Sequence, residues 1–435
     1  MNTSEYKRYH EAFMQNNHGT SAVHTFFCIF FTVQCTLYVS IRPKYSSTFQ
    51  YIYEYLTIIL PMILAHTLLA EYIYFLNLLV FLILLYEITL HLPSLNKKFL
   101  QNNMFLHKRI PFVTALRALT YIITALAILA VDFKVFPRYL AKTERFGYSL
   151  MDTGVGLFVL MSGLVHKDVT SSNYKDIIKG NLKVVTMLLF LGVGRFLSIK
   201  QLDYHENVAE YGVHWNFFFT IAVCKMISTF VLYFTNRALT SSILILLVHE
   251  CILYSGVQDW VLSDTPRATL VSANREGISS SLGYVSLYLF SVYLKQVLLT
   301  RNVKRLDIQY RLVLGSAVLW IFSTIINFLR PASRTLANAG YCIYMETVLL
   351  TVSCMMYFVA ILTDMKDQGQ NPYILSIVNS NGLLYFLTAN LLTGLVNLSL
   401  RTLLMSSSIS FAILNVYMIV TIVIIAYAKG LGFRI

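Results

Sequence analysis

The chain has 435 residues, 57% of them apolar and 13% charged, with a mean hydropathy of +0.63 and a formal net charge of +13. Soluble domains carry roughly 25% charged residues, so this composition excludes a water-soluble globule, a disordered scaffold and a single-pass receptor with a folded ectodomain. Positive charge beside apolar runs normally sets membrane orientation, and nucleic acid is not expected as a partner.

Taken in order, the chain opens on a short N-terminal segment, 1–20. Tyr6, Tyr9, Phe13 and Met14 recur there at helical spacings beside Lys7, Arg8 and Glu11, the pattern of an interfacial helix whose expected role is anchoring. The first apolar run begins near Ser21 with no cleavage signature ahead of it, and is read as a retained span. Apolar windows then fall at 22–42, 51–69, 72–92, 112–132, 149–166, 184–199, 213–236, 240–257, 279–299, 312–330, 338–363, 380–400 and 407–428. Thirteen spans of about 20 residues consume roughly 260 and leave only loops. The expected fold is therefore a single all-α domain over 1–435, a polytopic transmembrane bundle of about 13 spans. An outside N-terminus and an inside C-terminus place most Lys and Arg residues on inside loops. Lys134, Arg138, Lys142 and Arg145 break that rule by crowding into one outside loop, which needs a reason other than topology. Cys28, Cys35, Cys224, Cys251, Cys342 and Cys354 all lie in apolar segments without a C-x-x-C pair, and read as packing residues.

Ionisable groups at membrane depth are costly and mark functional sites by default. The densest cluster starts where the fourth span ends. Asp132 follows the wholly apolar run Ala125 to Val131, where desolvation favours a carboxylate that acts as general base. Ten residues later, after the Pro137 turn, Lys142 could fold back onto it; a salt bridge that merely fixes the loop is the bland alternative. Asp152 opens the fifth span. A second cluster, Glu210 to Thr220, puts Tyr211, His214, Trp215 and Asn216 at one bilayer surface ahead of Phe217, Phe218 and Phe219. Belt anchoring explains Tyr211 and Trp215 better than it explains His214 and Asn216. The third, Asn274-Arg275-Glu276-Gly277, precedes the ninth span, where N–H groups and an Arg can receive an anion, unless Arg275 and Glu276 simply pair with each other. Arg195 is expected deep in the sixth span, as a site cation or as an Arg that snorkels. All of these point to the outer half of the membrane.

No P-loop, H-E-x-x-H, G-x-S-x-G or C-x-x-C pattern is present. What remains is acid/base chemistry by Asp, Lys and His. At Ala127 to Phe133, Phe136-Pro137-Arg138, Ala141-Lys142-Thr143-Glu144, Met151-Asp152 with Gly154-Val155-Gly156, Tyr211 to Thr220 and Ala273 to Ile278 the sequence resembles the inositol acyltransferase family of glycosylphosphatidylinositol (GPI) anchor biosynthesis. Weaker echoes lie at Ala337-Asn338 and at Thr393 to Asn397.

The resemblance implies a multi-pass endoplasmic-reticulum enzyme. It would move a fatty acyl group, usually palmitoyl, from acyl-CoA as co-substrate to the inositol 2-hydroxyl of glucosaminyl-phosphatidylinositol, with no bound cofactor or metal. "Outside" then means lumenal for the N-terminus, and the C-terminus is cytosolic. It also implies Asp132 and Lys142 as the catalytic pair. Arg138, Arg145, Arg195 and Arg275 are the cations available for phosphates; Asp152, Tyr211, His214, Trp215, Asn216, Phe218, Asn274 and Glu276 complete the candidate binding residues. Two readings compete: a membrane O-acyltransferase mechanism with His214 as base, and a lipid transporter or flippase using Asp132, Arg195 and Lys225 as pathway residues.

Overall fold

The computed structural model describes residues 3–42, 47–99, 111–167, 174–202, 210–300, 303–364 and 371–432. Among the described residues there is no strand, only an isolated bridge between Thr20 and Tyr148. Among the described residues eleven helices are long and apolar enough to cross a bilayer; two shorter apolar helices, Phe49–Ala65 and Leu150–Leu164, fall on the second and fifth expected windows.

Two helices, Arg275–Leu298 and Ala339–Leu362, form the centre and have most of their side chains buried. The first of them packs closely on its neighbours because small residues line those contacts. Ser242 and Ser286 exchange hydroxyl-to-carbonyl hydrogen bonds at 2.8 and 2.9 Å, so two neighbouring helices satisfy each other's hydroxyls without water. Gly163 lies so near Ser291 and the Tyr288 carbonyl that a Cβ has no room there. The peripheral helices turn large apolar side chains outward. Arg305–Leu329 turns Phe328 (88% exposed) outward, a surface that only lipid can cover. All six cysteines are free thiols, and all but Cys251 are buried.

The sixth helix departs from expectation. It runs Tyr174–Leu202, with its apolar stretch at Lys175–Phe196. Lys175, Lys179 and Lys183 recur every four residues along one exposed stripe, so an averaged window rejects turns that are helical and apolar on their other faces. Arg195 consequently stands in the last turn of the apolar stretch, not deep within it.

The N-terminal helix, Thr3–Met14, is amphipathic as its sequence indicates. It does more than anchor: residues 6–20 are strapped across the loops at one end of the bundle, the end that holds the candidate site residues Asp132 and Lys142.

Candidate active site

The Pro111–Ala130 helix ends by tightening: Asp132 and Phe133 donate their N–H groups to the carbonyls of Leu129 and Ala130. Phe133 and Phe136, both fully buried, nail the following loop to the core. Between them and the helix, Asp132 is only 4% exposed. A carboxylate so buried needs partners on both oxygens. Asn397, at the end of the Gly382–Ser399 helix, donates to Oδ2 at 2.7 Å, and His10 Nε2 of the N-terminal helix lies 3.1 Å from Oδ1.

The strap is secured on both sides of this contact. The Tyr6 hydroxyl lies 3.2 Å from Thr402 Oγ1 and accepts the Leu403 N–H, the Arg138 guanidinium stacks on Phe13 and donates to the Met14 carbonyl, and the Lys134 ammonium lies over Tyr9. Asn17 then donates to the carbonyls of Ala141 and Lys142. Two of the four cations that break the orientation rule are thus partners of the N-terminal helix.

Lys142 extends from the same loop with a half-exposed side chain, and its Nζ donates to Glu210 Oε1 at 2.6 Å. The carboxylate it meets is Glu210, whereas Asp132 is met by His10 and Asn397. Its neighbour Thr143 donates both N–H (3.0 Å) and hydroxyl (2.8 Å) to Asp152 Oδ2, which also receives Ser149 Oγ at 2.8 Å. Asp152 Oδ1 accepts from Arg334 Nε at 3.0 Å, an almost fully buried pair. The Arg334 guanidinium lies over the Tyr211 ring, 5.7 Å from its centre. Burial alone would lift the Glu210 carboxyl, yet Lys142, Arg334 and Arg195 together hold it below its ordinary value of 4.5. Burial likewise pushes the Tyr211 hydroxyl up to about 12.

A carboxyl depressed in the fold contributes stability that is complete above about pH 4.5 and is lost as pH falls through its lower folded value. Thermal unfolding in detergent, followed as the pH is lowered below about 4.5, is expected to show a shallower acid fall in Glu210→Gln than in wild type. An identical acid limb in the two proteins would contradict the assignment.

The remaining two clusters form one latch. Gly212 adopts φ +110°, a turn in which a side chain would overlap the Asn274 backbone. With the chain turned, Val213 N–H reaches the Ala273 carbonyl and Gly277 N–H the Tyr211 carbonyl, while Asn274 Oδ1 accepts from the N–H groups of both His214 (2.8 Å) and Trp215 (2.9 Å). Trp215 donates to Thr220 Oγ1, and its indole lies on Gly277. Asn216 caps the Phe217–Phe234 helix by accepting from Phe218 N, and donates to the Gly192 carbonyl. Phe218 is buried against Phe217 and Phe386. The His214 ring is exposed beside Phe196, with Asn274 Nδ2 3.4 Å from its Nδ1.

Arg275 is 3% exposed, and its two terminal nitrogens donate to the Thr265 carbonyl and hydroxyl and to the Ser263 carbonyl. Glu276 accepts a two-pronged bond from Arg267 and stands 3.5 Å from Arg275 Nε. These charges shape the loop before the helix. Arg145 has an exposed side chain, and its carbonyl receives Ser333 Oγ.

Gly277→Ala is expected to overpack this latch, because a Cβ there overlaps an indole already held at its nitrogen and backbone. A loss of about 1–3 kcal/mol is the usual size of such an effect. It would be read as a lower unfolding midpoint with altered Trp215 fluorescence, and unchanged values of both would contradict the close contact.

The loops at 131–149, 210–216, 263–274 and 331–338 are therefore joined to one another at one end of the bundle, and the N-terminal strap lies across the first of them. Sequence reasoning missed His10, Glu210, Arg334 and Asn397 as neighbours of the expected pair. Asn397 carried a faint signal, an amide at the end of an apolar span; Arg334 carried none. Among the described residues no group of three His, Cys, Asp or Glu converges as a metal site would.

Comparison with known proteins supplies a family. A family model described as GWT1 matches residues 6–428. The chain is 30% identical to glucosaminyl-phosphatidylinositol-acyltransferase PIGW of Bos taurus over 489 aligned positions, which cover 96% of this chain and 97% of that protein. It is 32% identical to GPI-anchored wall transfer protein 1 of Saccharomyces cerevisiae over 457 positions, 91% of each chain. With the Schizosaccharomyces pombe protein of that name it shares 34% identity over 344 positions, 74% of this chain and 72% of that one.

Proposed function

This chain belongs to the GWT1 family, and from that premise we propose that it is the acyltransferase that moves a fatty acyl group, palmitoyl, from acyl-CoA to the inositol 2-hydroxyl of glucosaminyl-phosphatidylinositol, in the endoplasmic-reticulum membrane. The observation that carries the chemistry is Asp132, a buried carboxylate held on both oxygens at the membrane end of a loop rich in cations. The likeness to relatives so named supports the substrate.

The reaction needs a proton removed from an alcohol and charge stabilised on a carbonyl oxygen. Asp132 takes the inositol O–H proton as that oxygen attacks the thioester carbon. Lys142, whose ammonium is reachable and aimed by Glu210, stabilises the tetrahedral oxyanion. The C–S bond then breaks, the ester remains on inositol, and the CoA thiolate recovers the proton from Asp132. Arg145, Arg195 and the exposed ring of His214 face the phosphates that both substrates bring. Arg138, Asp152, Tyr211, Trp215, Asn216, Phe218, Asn274, Arg275 and Glu276 form the walls of the site, holding its loops in register. The site faces the lumen, the side on which the charge distribution puts the N-terminus.

Purified protein in detergent, given labelled palmitoyl-CoA and glucosaminyl-phosphatidylinositol, is expected to produce labelled inositol-acylated lipid. If a well-folded preparation moves the glycolipid between leaflets and transfers no acyl group, the transporter reading takes its place.

A further inference from the structure

The N-terminal strap touches the chain at both residues to which the reaction is given. His10 Nε2 stands 3.1 Å from Asp132 Oδ1, and farther along Asn17 donates its side-chain amide to the carbonyls of Ala141 and Lys142 at 2.7 and 3.0 Å. Asn17 is buried, and its own carbonyl accepts the Glu144 N–H, so strap and loop grip each other by backbone as well as side chain. The remaining partners of the two residues are separate, Asn397 for Asp132 and Glu210 for Lys142.

Docking the helix does not require His10. Tyr6, Tyr9, Phe13 and Met14 already tie it down on either side, at Thr402, Lys134 and Arg138. The imidazole is 29% exposed, and a polar pair with so exposed a partner returns little stability. Burying the Asp132 carboxylate to 4% exposure is costly by comparison. The helix therefore serves the carboxylate, and what it supplies is orientation. Asn397 alone holds one oxygen and leaves the carboxylate plane free to turn about Cβ–Cγ; a second donor at Oδ1 fixes that plane. A general base works when its lone pair lies along the O–H bond it breaks, and a small misplacement is expensive in rate. We infer that His10 is a positioning residue for acyl transfer: held by the strap, its Nε2–H fixes the Asp132 carboxylate in the plane that meets the inositol hydroxyl, while Asn17 fixes the backbone at Lys142. The strap is then a template that registers base and lysine against each other. The inference rests on the acyltransferase reading given above.

The test compares variants of the purified full chain in the palmitoyl-transfer assay, with unfolding midpoints measured alongside. Leucine and glutamine are close in size and both suit a helix, but only glutamine can donate to Oδ1. His10→Leu is expected to lower kcat about tenfold or more with KM for palmitoyl-CoA within about threefold, and His10→Gln to recover at least about threefold of that loss. Tyr6→Phe loosens the same helix at Thr402 and Leu403 without touching Asp132, and its kcat is expected to stay within about threefold of wild type. Should His10→Leu not fold, His10→Asn replaces it, an amide too short to reach Oδ1. Equal losses in His10→Leu and His10→Gln, or a loss in Tyr6→Phe as large as that in His10→Leu, overturn the inference, because the strap would then act only by being docked. Transfer that depends on Asp132 and is unchanged in His10→Leu overturns it too, and in all of these cases the function stands. Absence of transfer by folded wild-type protein overturns the acyltransferase reading instead, and transfer indifferent to Asp132→Asn overturns the role given to Asp132, and this inference with it.

Discussion

Asp132→Asn is expected to abolish acyl transfer, lowering kcat/KM by about 10²- to 10⁴-fold, the usual contribution of a positioned general base. The substitution suits the question because it preserves shape and both hydrogen bonds. An asparagine oxygen can accept from Asn397 and its amide can donate to the ring of His10, so the partners found at Oδ2 and Oδ1 remain satisfied. The fold should therefore survive, with an unfolding midpoint close to that of wild type, while the group that takes the inositol proton is gone. The measurement is labelled palmitoyl transfer by purified variants of matched folding. Retained transfer in Asp132→Asn, together with its loss in His214→Ala, would move the base to His214.

The reach of sequence reading into this structure can be traced residue by residue. Long apolar windows are strong signals because a bilayer demands about 20 apolar residues in one helix, so the windows and the helices correspond along the chain. The sixth was displaced because its lysine stripe dilutes the average, and the expected depth of Arg195 was displaced with it. Asp132 was legible as an acid that ends an apolar run. Its partners were not, because His10 and Asn397 are 122 and 265 positions away and neither breaks a local pattern. The N-terminal helix shows the same limit. Its periodicity reveals that one face is buried, and nothing in a period says against what. Arg334 is a single cation in a loop of ordinary composition, and the acid that explains it lies 182 positions earlier. The convergence of the clusters on one end of the bundle followed from charge and span order; the pairing within that end follows from tertiary contact. The expected meeting of Lys142 with Asp132 therefore gave way to Glu210, a residue seen in the sequence only as the start of an aromatic cluster.

Lys142→Met is expected to lower kcat by about 10²-fold with KM for palmitoyl-CoA changed only a few-fold, since losing one donor to a developing oxyanion costs on the order of 3 kcal/mol. Methionine keeps an unbranched stem against the loop and removes only the ammonium. Glu210 is left partly exposed and within reach of the positive charges of Arg334 and Arg195, so the site should tolerate the loss without unfolding. That separation makes the kinetic pattern informative. If the ammonium serves the transition state, turnover falls and apparent affinity does not. If it serves the phosphates of CoA in the ground state, KM rises with kcat nearly unchanged, and the oxyanion role passes to another cation, for which the half-buried Arg195, whose charge reaches Glu210, is a candidate.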